Sequence, residues 1–333
     1  MGFVTAQKGQ RTKEEIKEET LILAHEKMRH ERLPPATNNN PWRASDIKAD
    51  CPRYVYYSRN AQVDGIPRVG AGALFGTAVH TMLQVGAPDD REVWDSVWQG
   101  TLQSGGLRDT ADPRIDWHAQ AKPFSLSAFR DAEPEDKVRM LFERYRQLDR
   151  PNYLEFMRRW PLAIYRHPPT GRLAQESRIT GTINGQEIRT TADVLMTDVY
   201  TGEILPVDWK TGRQSSFTQL ATYAMVAEQF FGLTEGSIKR GLFILTGSGE
   251  CHAARGKEPY GYTPDYDNMV VLDDLDNWRD EVEKNVNNLA WRQKNNVWTP
   301  VLNPLCYNVC QFRNICPIGS SLAEVRNNRS SDA

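Results

Sequence analysis

The chain has 333 residues, 39% of them hydrophobic, enough for one large domain with insertions or for two small ones. Its 41 basic and 43 acidic residues leave a net charge of −2, which excludes nucleic-acid recognition through overall charge and confines any such site to a local groove. No run of about 18 apolar residues occurs and the opening MGFVTAQKGQ is polar, so neither a membrane span nor a signal peptide is expected, and a cytoplasmic location follows.

Residues 12–33 place charged and apolar side chains at helical spacing until LPPATNNNP breaks the pattern, giving an N-terminal helix and loop over residues 1–44. Ser45 reads as the N-cap of a second helix, DIKADCPRYVYYSRN, which carries Cys51, Tyr54, Tyr56 and Tyr57. GALFGTAVHTMLQ predicts a third, with His80 on its body. Between about residues 86 and 171, Trp-rich helical pieces and a charged amphipathic stretch read as a helical insertion. The period then changes. AQESRITGTI, EIRTTADVLMTDV and EILPVDWKT are strand-like runs punctuated by NG and TG turns. SSFTQLATYAMVAEQFFG reads as a capped helix ending at glycine, SIKRGLFILTG and NMVVL as strands, and DLDNWRDEVEKNVNNLAWRQKNN as a long amphipathic helix. Residues 326–333 read as a polar, disordered tail. No GxxxxGK[ST] loop is present, so this chain is not expected to be its own ATP-driven motor.

Asp193 lies in TTADVLM and Asp208 in PVDWK, and the YTGE between them lets the two strands pair as a hairpin. Pairing brings both carboxylates to one end of a sheet, where buried acids repel unless a cation neutralises them; Mg²⁺ is typically held by one or two carboxylates with water and substrate phosphate. Lys210, two residues beyond Asp208, points to the same strand face. Its ammonium can hold an attacking water and offset charge growing on a phosphate. D-x-K is a short pattern, and an exposed strand with an ordinary Asp–Lys pair fits it as well. Gln219 and Tyr223 share a face of the following helix, Glu176 opens the β-rich region and His80 lies upstream. Taken singly, such a histidine is more often a packing residue, and such a Gln/Tyr pair ordinary surface.

As an ordered series, His80, Glu176, Asp193, Asp208, Lys210, Gln219 and Tyr223 resemble the RecB-type branch of the PD-(D/E)XK nucleases, through GTAVH, the Glu176 run, TADV, VDWKTG and QLATYA. The resemblance covers roughly Ser45 to Cys316, outside residues 86–171. It implies a restriction-endonuclease-like α/β fold, a mixed sheet flanked by helices, within a nuclease domain over residues 45–325. It further implies hydrolysis of DNA phosphodiesters with Mg²⁺ or Mn²⁺. By the same resemblance His80, Asp193, Asp208 and the Trp209 carbonyl are metal ligands, Glu176 belongs to the catalytic set and Lys210 is the catalytic lysine. Gln219 and Tyr223 match the Q-x-x-x-Y pair that helps position DNA and the active site.

CYNVCQFRNIC sets Cys306, Cys310 and Cys316 close together, and Cys51 is the obvious fourth ligand, more than 250 residues upstream. Four-cysteine sites serve both zinc and iron–sulfur clusters, and unligated thiols are a third reading. One cysteine upstream and three downstream resembles the iron–sulfur members of this nuclease branch, such as the AddB nuclease, the CRISPR-associated spacer-acquisition nucleases and exonuclease V. That resemblance implies a 4Fe-4S cluster stapling the ends of the domain; CPRxxYY around Cys51 and QFRNICP near Cys316 are typical of it. The three-residue gap between Cys306 and Cys310 departs from the two often found there. Cys251 is left over.

FMRRWPLAIYRHPP mixes Arg158, Arg159 and Arg166 with aromatic rings, a combination suited to single strands, although a partly buried helix end has the same composition. AARGKEPYGY, residues 253–262, is a second basic candidate for backbone contact. The reading is a DNA nuclease, an end-dependent exonuclease before a site-specific endonuclease, either free-standing or partnered in recombination, repair, CRISPR adaptation or phage DNA processing. Its rivals are a catalytically silent DNA-binding iron–sulfur subunit and a zinc-stapled interaction protein.

Overall fold

The computed structural model describes residues 12–31, 33–36, 40–60, 69–117, 129, 131–212, 216–252, 261–303, 306, 310, 312 and 315–330, without the side chains of His30 and residues 326–330. The chain divides into two compact units, a core unit of Asn39–Lys48 and Arg68–Lys294 and a terminal unit of Met1–Asn38, Ala49–Pro67 and Asn295–Ala333.

The core unit is a mixed α/β layer built on a six-stranded sheet. Its strands are β3 (Leu162–Ile164), β4 (Gln175–Ile183), β5 (Gln186–Asp198), β6 (Ile204–Lys210), β7 (Arg240–Leu245) and β10 (Val270–Asp274), the short β1 (Val69–Gly70) and β2 (Ile115–Asp116) pairing apart from it. The order is β10-β7-β6-β5-β3, with β4 also on β5; β6 and β7 run parallel and the other pairs antiparallel. Asn184 (φ 49°) and Gly185 (φ 74°) make the two-residue turn between β4 and β5. Positive φ at both positions is what the strand twist favours in such a hairpin, and NG supplies it. β6 is covered on both faces and hence reads as continuously apolar apart from its charged residues.

Helix α4 (Ala71–Gln84) follows β1, and α5 (Arg91–Ser104), α6 (Pro134–Arg144) and α7 (Arg150–Arg159) come from the stretch expected to be a helical insertion. That stretch also contributes β3, which pairs with the end of β5. Its Trp94, Trp98, Phe142, Tyr145 and Phe156 pack in one core with Phe75 and Val79 of α4 and Val194, Val207 and Leu242 of the sheet. The helix α8 (Phe217–Phe230) packs on β4, β5 and β6, and α9 (Asp276–Asn295) follows β10. A hairpin of β8 (Gly249–His252) and β9 (Gly261–Pro264) was not anticipated. Of the basic stretch 253–262, residues 253–260 lie outside the described residues, and Gly261 and Tyr262 begin β9.

The terminal unit contains α1 (Lys13–His30), α3 (Pro52–Asn60) and α10 (Pro317–Ser330). Two expectations are corrected here. The helix expected from Ser45 through Asn60 is two helices, because Pro52 restarts the chain as α3 after a short α2 (Ala44–Ile47). Ser45 lies inside α2, and the cap is made instead by Asp46, whose Oδ2 accepts the Arg43 N–H at 3.0 Å. Residues 326–330, expected in the disordered tail, continue α10, which packs along α1 with Lys27 and Glu324 paired at 2.9 Å; residues 331–333 lie outside the described residues.

A π-helical turn, Tyr145–Asp149, joins α6 to α7, and its Asp149 pairs with Arg144 at the end of α6 in the most deeply buried ion pair among the described residues. Arg144 and Asp149 are both fully buried, with Nε and Oδ2 3.3 Å apart. The Arg144 guanidinium lies over the Phe75 ring at 4.4 Å and donates to the Thr211 carbonyl, while Asp149 Oδ1 accepts the Thr246 hydroxyl at 2.8 Å. The pair thereby grips the chain just after β6 and just after β7. Removing one partner strands a charge in the interior, so Arg144→Met is expected to lower stability by about 3–5 kcal/mol in urea unfolding, and Arg144→Met with Asp149→Leu to recover most of that loss.

Candidate active site

β5 and β6 pair only as far as Val194 and Val207, so Asp193 and Asp208 occupy the next facing positions, where the ladder has ended. Trp209 has lost its β5 partner there, and its N–H is accepted by Asp193 Oδ2 at 3.0 Å. β6 meanwhile continues its pairing with β7 through Asp208, Trp209 and Lys210. The result is a rigid strand end with two carboxylates side by side. Asp208 is 1% exposed.

Lys210 Nζ forms an ion pair with Asp208 Oδ2, as their shared strand face requires, and lies 5.9 Å from the centre of the Phe243 ring. On the other carboxylate oxygen, Gln219 Nε2 lies 3.4 Å from Asp208 Oδ1 and also donates to the Tyr223 hydroxyl. Gln219 and Tyr223 stand on α8, one turn apart, and both are buried. His80 arrives from α4. Its Nε2 is 2.7 Å from the Trp209 carbonyl and its Nδ1 is 3.5 Å from Asp193 Oδ2. A carbonyl only accepts, so in this contact Nε2 carries a ring proton and donates.

Glu176 completes the group through an unusual backbone. Its φ is 44°, a left-handed conformation that costs a glutamate about 1–3 kcal/mol and gathers at functional positions. The residue faces Asp193 across β4 and β5, between the pairs Gln175–Val194 and Ser177–Ala192. One ligand atom from each of His80, Glu176 and Asp193 lies within 4.8 Å of the others. Opposed oxygens around Mg²⁺ stand about 4.2 Å apart, so imidazole and carboxylates at this spacing fit a small divalent ion. Among the described residues this is the one such group.

Residues 48–317 match the family described as the PD-(D/E)XK nuclease superfamily. The chain belongs to that superfamily. PD-(D/E)XK proteins are nucleases that generally use divalent metals such as Mg²⁺, and the mixed sheet flanked by helices agrees with their restriction-endonuclease-like fold. None of the curated proteins matches the chain. A solved structure titled "Crystal structure of SSO0001" is similar over 94% of this chain and 99% of its own, at 12% identity and a TM-score of 0.31.

Set against the PD-(D/E)XK expectation, His80, Glu176, Asp193, Asp208, Lys210, Gln219, Tyr223 and the Trp209 carbonyl all converge in the core unit, with Asp208 outside the three-ligand group. The site holds one cation that sequence reasoning passed over. Lys48, directly after α2, donates to Gln219 Oε1. Burial, and then the charge of Lys210, hold its ammonium below the ordinary lysine value, with Asp208 and Asp193 pulling the other way. Nothing in SDIKADCP marks this lysine. Arg158 and Arg159 pair with Glu155 on their own helix, and Arg166 donates to the Gly171 carbonyl at 2.7 Å, contacts separate from the carboxylate group.

All four cysteines of the expected cluster belong to the terminal unit. Cys51 and Cys316 each stand immediately before a proline that opens a helix. Burial pushes the Cys316 thiol up to about 11, against the pull of the Ile318 and Gly319 backbone amides; burial raises Cys306 as well. No three cysteine sulfurs gather within 4.8 Å among the described residues.

Burial, reinforced by Asp193, raises the Asp208 carboxyl to about 6 against the pull of Lys210; desolvation and then Asp193 raise Glu176 likewise to about 6. Both folded values exceed the ordinary ones of about 4, so the folded state binds more protons between about pH 4 and 6 and loses stability as pH rises through that window. In EDTA the urea midpoint is expected to fall across it, and Asp208→Asn to flatten the fall. Mg²⁺, competing with those protons, should raise the midpoint at pH 7.5 and do so less at pH 5.

Proposed function

We propose that this protein is a metal-dependent DNA nuclease that works from ends, an exonuclease on single strands or DNA termini. The observation that carries the proposal is the ion pair of the buried Asp208 with the half-buried Lys210, beside Asp193, His80 and Glu176 at one strand end. A silent scaffold gains nothing from charges held in so costly a place. His80, Glu176 and Asp193, with Asp208 and the Trp209 carbonyl alongside, would hold Mg²⁺ or Mn²⁺, which when bound supplies Lewis-acid activation and neutralises phosphate charge. Lys210 holds the attacking water by its ammonium and offsets charge growing on the scissile phosphate. Asp208 keeps that ammonium in place, and Gln219 with Tyr223 fixes Asp208 from the α8 side.

The four cysteines suit an iron–sulfur cluster better than one zinc ion. The support is the sequence pattern, one cysteine far upstream and three close together downstream, which resembles the iron–sulfur members of this nuclease branch. DNA is the substrate in this reading, with a helicase, CRISPR or recombination protein as a partner class and the cytoplasm as the compartment. A residual second reading, a silent DNA-binding subunit, is decided by the same assay.

Anaerobically purified protein with Mn²⁺ is expected to degrade end-labelled linear DNA, and Lys210→Ala to slow this by about 10²–10⁴-fold; intact wild-type reactions favour the silent subunit. The same protein should be brown, absorbing broadly near about 400 nm. Cys310→Ser should bleach it and lower the melting temperature, whereas a colourless wild type or an unmoved melting temperature rules the cluster out.

A further inference from the structure

We infer that Lys48 is a positioning residue of the nuclease site, acting by fixing the Gln219 amide so that its NH2 faces Asp208. The inference rests on the nuclease reading for its kinetic arm only.

The segment Asn39–Lys48 is fastened to the core unit before it reaches the site. Trp42 bridges the hairpin edge, its N–H donating to Glu187 O at 2.9 Å and its carbonyl accepting from Arg189 N at 2.7 Å. α2 then packs on α8, with Ala44 and Ile47 buried, and ends where Lys48 Nζ meets Gln219 Oε1. An ammonium has only protons to offer, so the amide must turn its oxygen towards Lys48. The NH2 is thereby committed to the other side, to the Tyr223 hydroxyl and, 3.4 Å away, to Asp208 Oδ1. A flipped amide sets its oxygen against the carboxylate and its protons against the ammonium, two repulsions in one rotation. Lys48 therefore selects one of two nearly isosteric states of Gln219, and Gln219 in turn holds the carboxylate that anchors Lys210.

The test combines a spectrum and a double-mutant cycle. With glutamine selectively labelled with ¹⁵N, the Gln219 side-chain NH2, identified by its loss in Gln219→Ala, should exchange slowly with solvent in wild type. In Lys48→Met it should move and exchange at least about tenfold faster. An unchanged Gln219 signal overturns the inference whether or not the protein cleaves DNA. Kinetically, Lys48→Met should lower kcat about 10- to 100-fold with KM held within about threefold, and should cost nothing further in a Gln219→Ala background. An equal loss in both backgrounds means Lys48 acts without Gln219 and overturns the proposal. A wild type that cleaves nothing defeats the nuclease reading, and the amide spectrum then decides Lys48 alone.

Discussion

The facing of Asp193 and Asp208 at the point where β5 and β6 stop pairing is the constraint around which the rest of the core unit is arranged. Two carboxylates in a buried corner are unstable company. Each neighbour answers that repulsion in its own way: the Trp209 N–H donates to Asp193, Lys210 neutralises Asp208, and the Gln219 amide approaches its second oxygen. Two of these answers come from β6 itself and the third from α8. The Arg144–Asp149 pair, gripping the chain beyond both β6 and β7, keeps the strand ends from relaxing apart.

Much of this was legible because strands and hairpins declare themselves locally. The period-two runs of β4 and β5, the NG turn and the carboxylates in VDWK depend on neighbours a few residues away. So does the one-turn spacing of Gln219 and Tyr223 on α8. Lys48 was illegible for the opposite reason. It is an ordinary basic residue in an ordinary stretch, and its meaning comes from a contact 171 residues away. The π-helical turn and its ion pair were hidden similarly, since a charged amphipathic helix gives no sign that one arginine on it is fully buried. Ser45 misled because serine caps helices so often; Asp46 did the capping from inside the helix.

Cys51 and Cys316 show how far local chemistry reaches and where it stops. A proline after each sets a helix start behind the sulfur, and the amides of Ile318 and Gly319 turn towards Cys316. That much is written in the dipeptide CP. How α3 is seated is a matter of distant chain: Tyr56 and Arg53 meet Trp298, and Tyr57 meets Phe312.

The terminal unit is assembled from segments that most of the core unit's sequence separates, and this has a temporal side. Arg53 waits for Trp298, 245 residues later, and Tyr57 for Ile315, 258 residues later. At a synthesis rate of about 5–20 residues per second, that interval is about 12–50 s on the ribosome. Over that time the core strands are already being made, while Cys51 remains a solitary thiol on a nascent chain. Closure of the terminal unit therefore follows synthesis of most of the core unit's sequence.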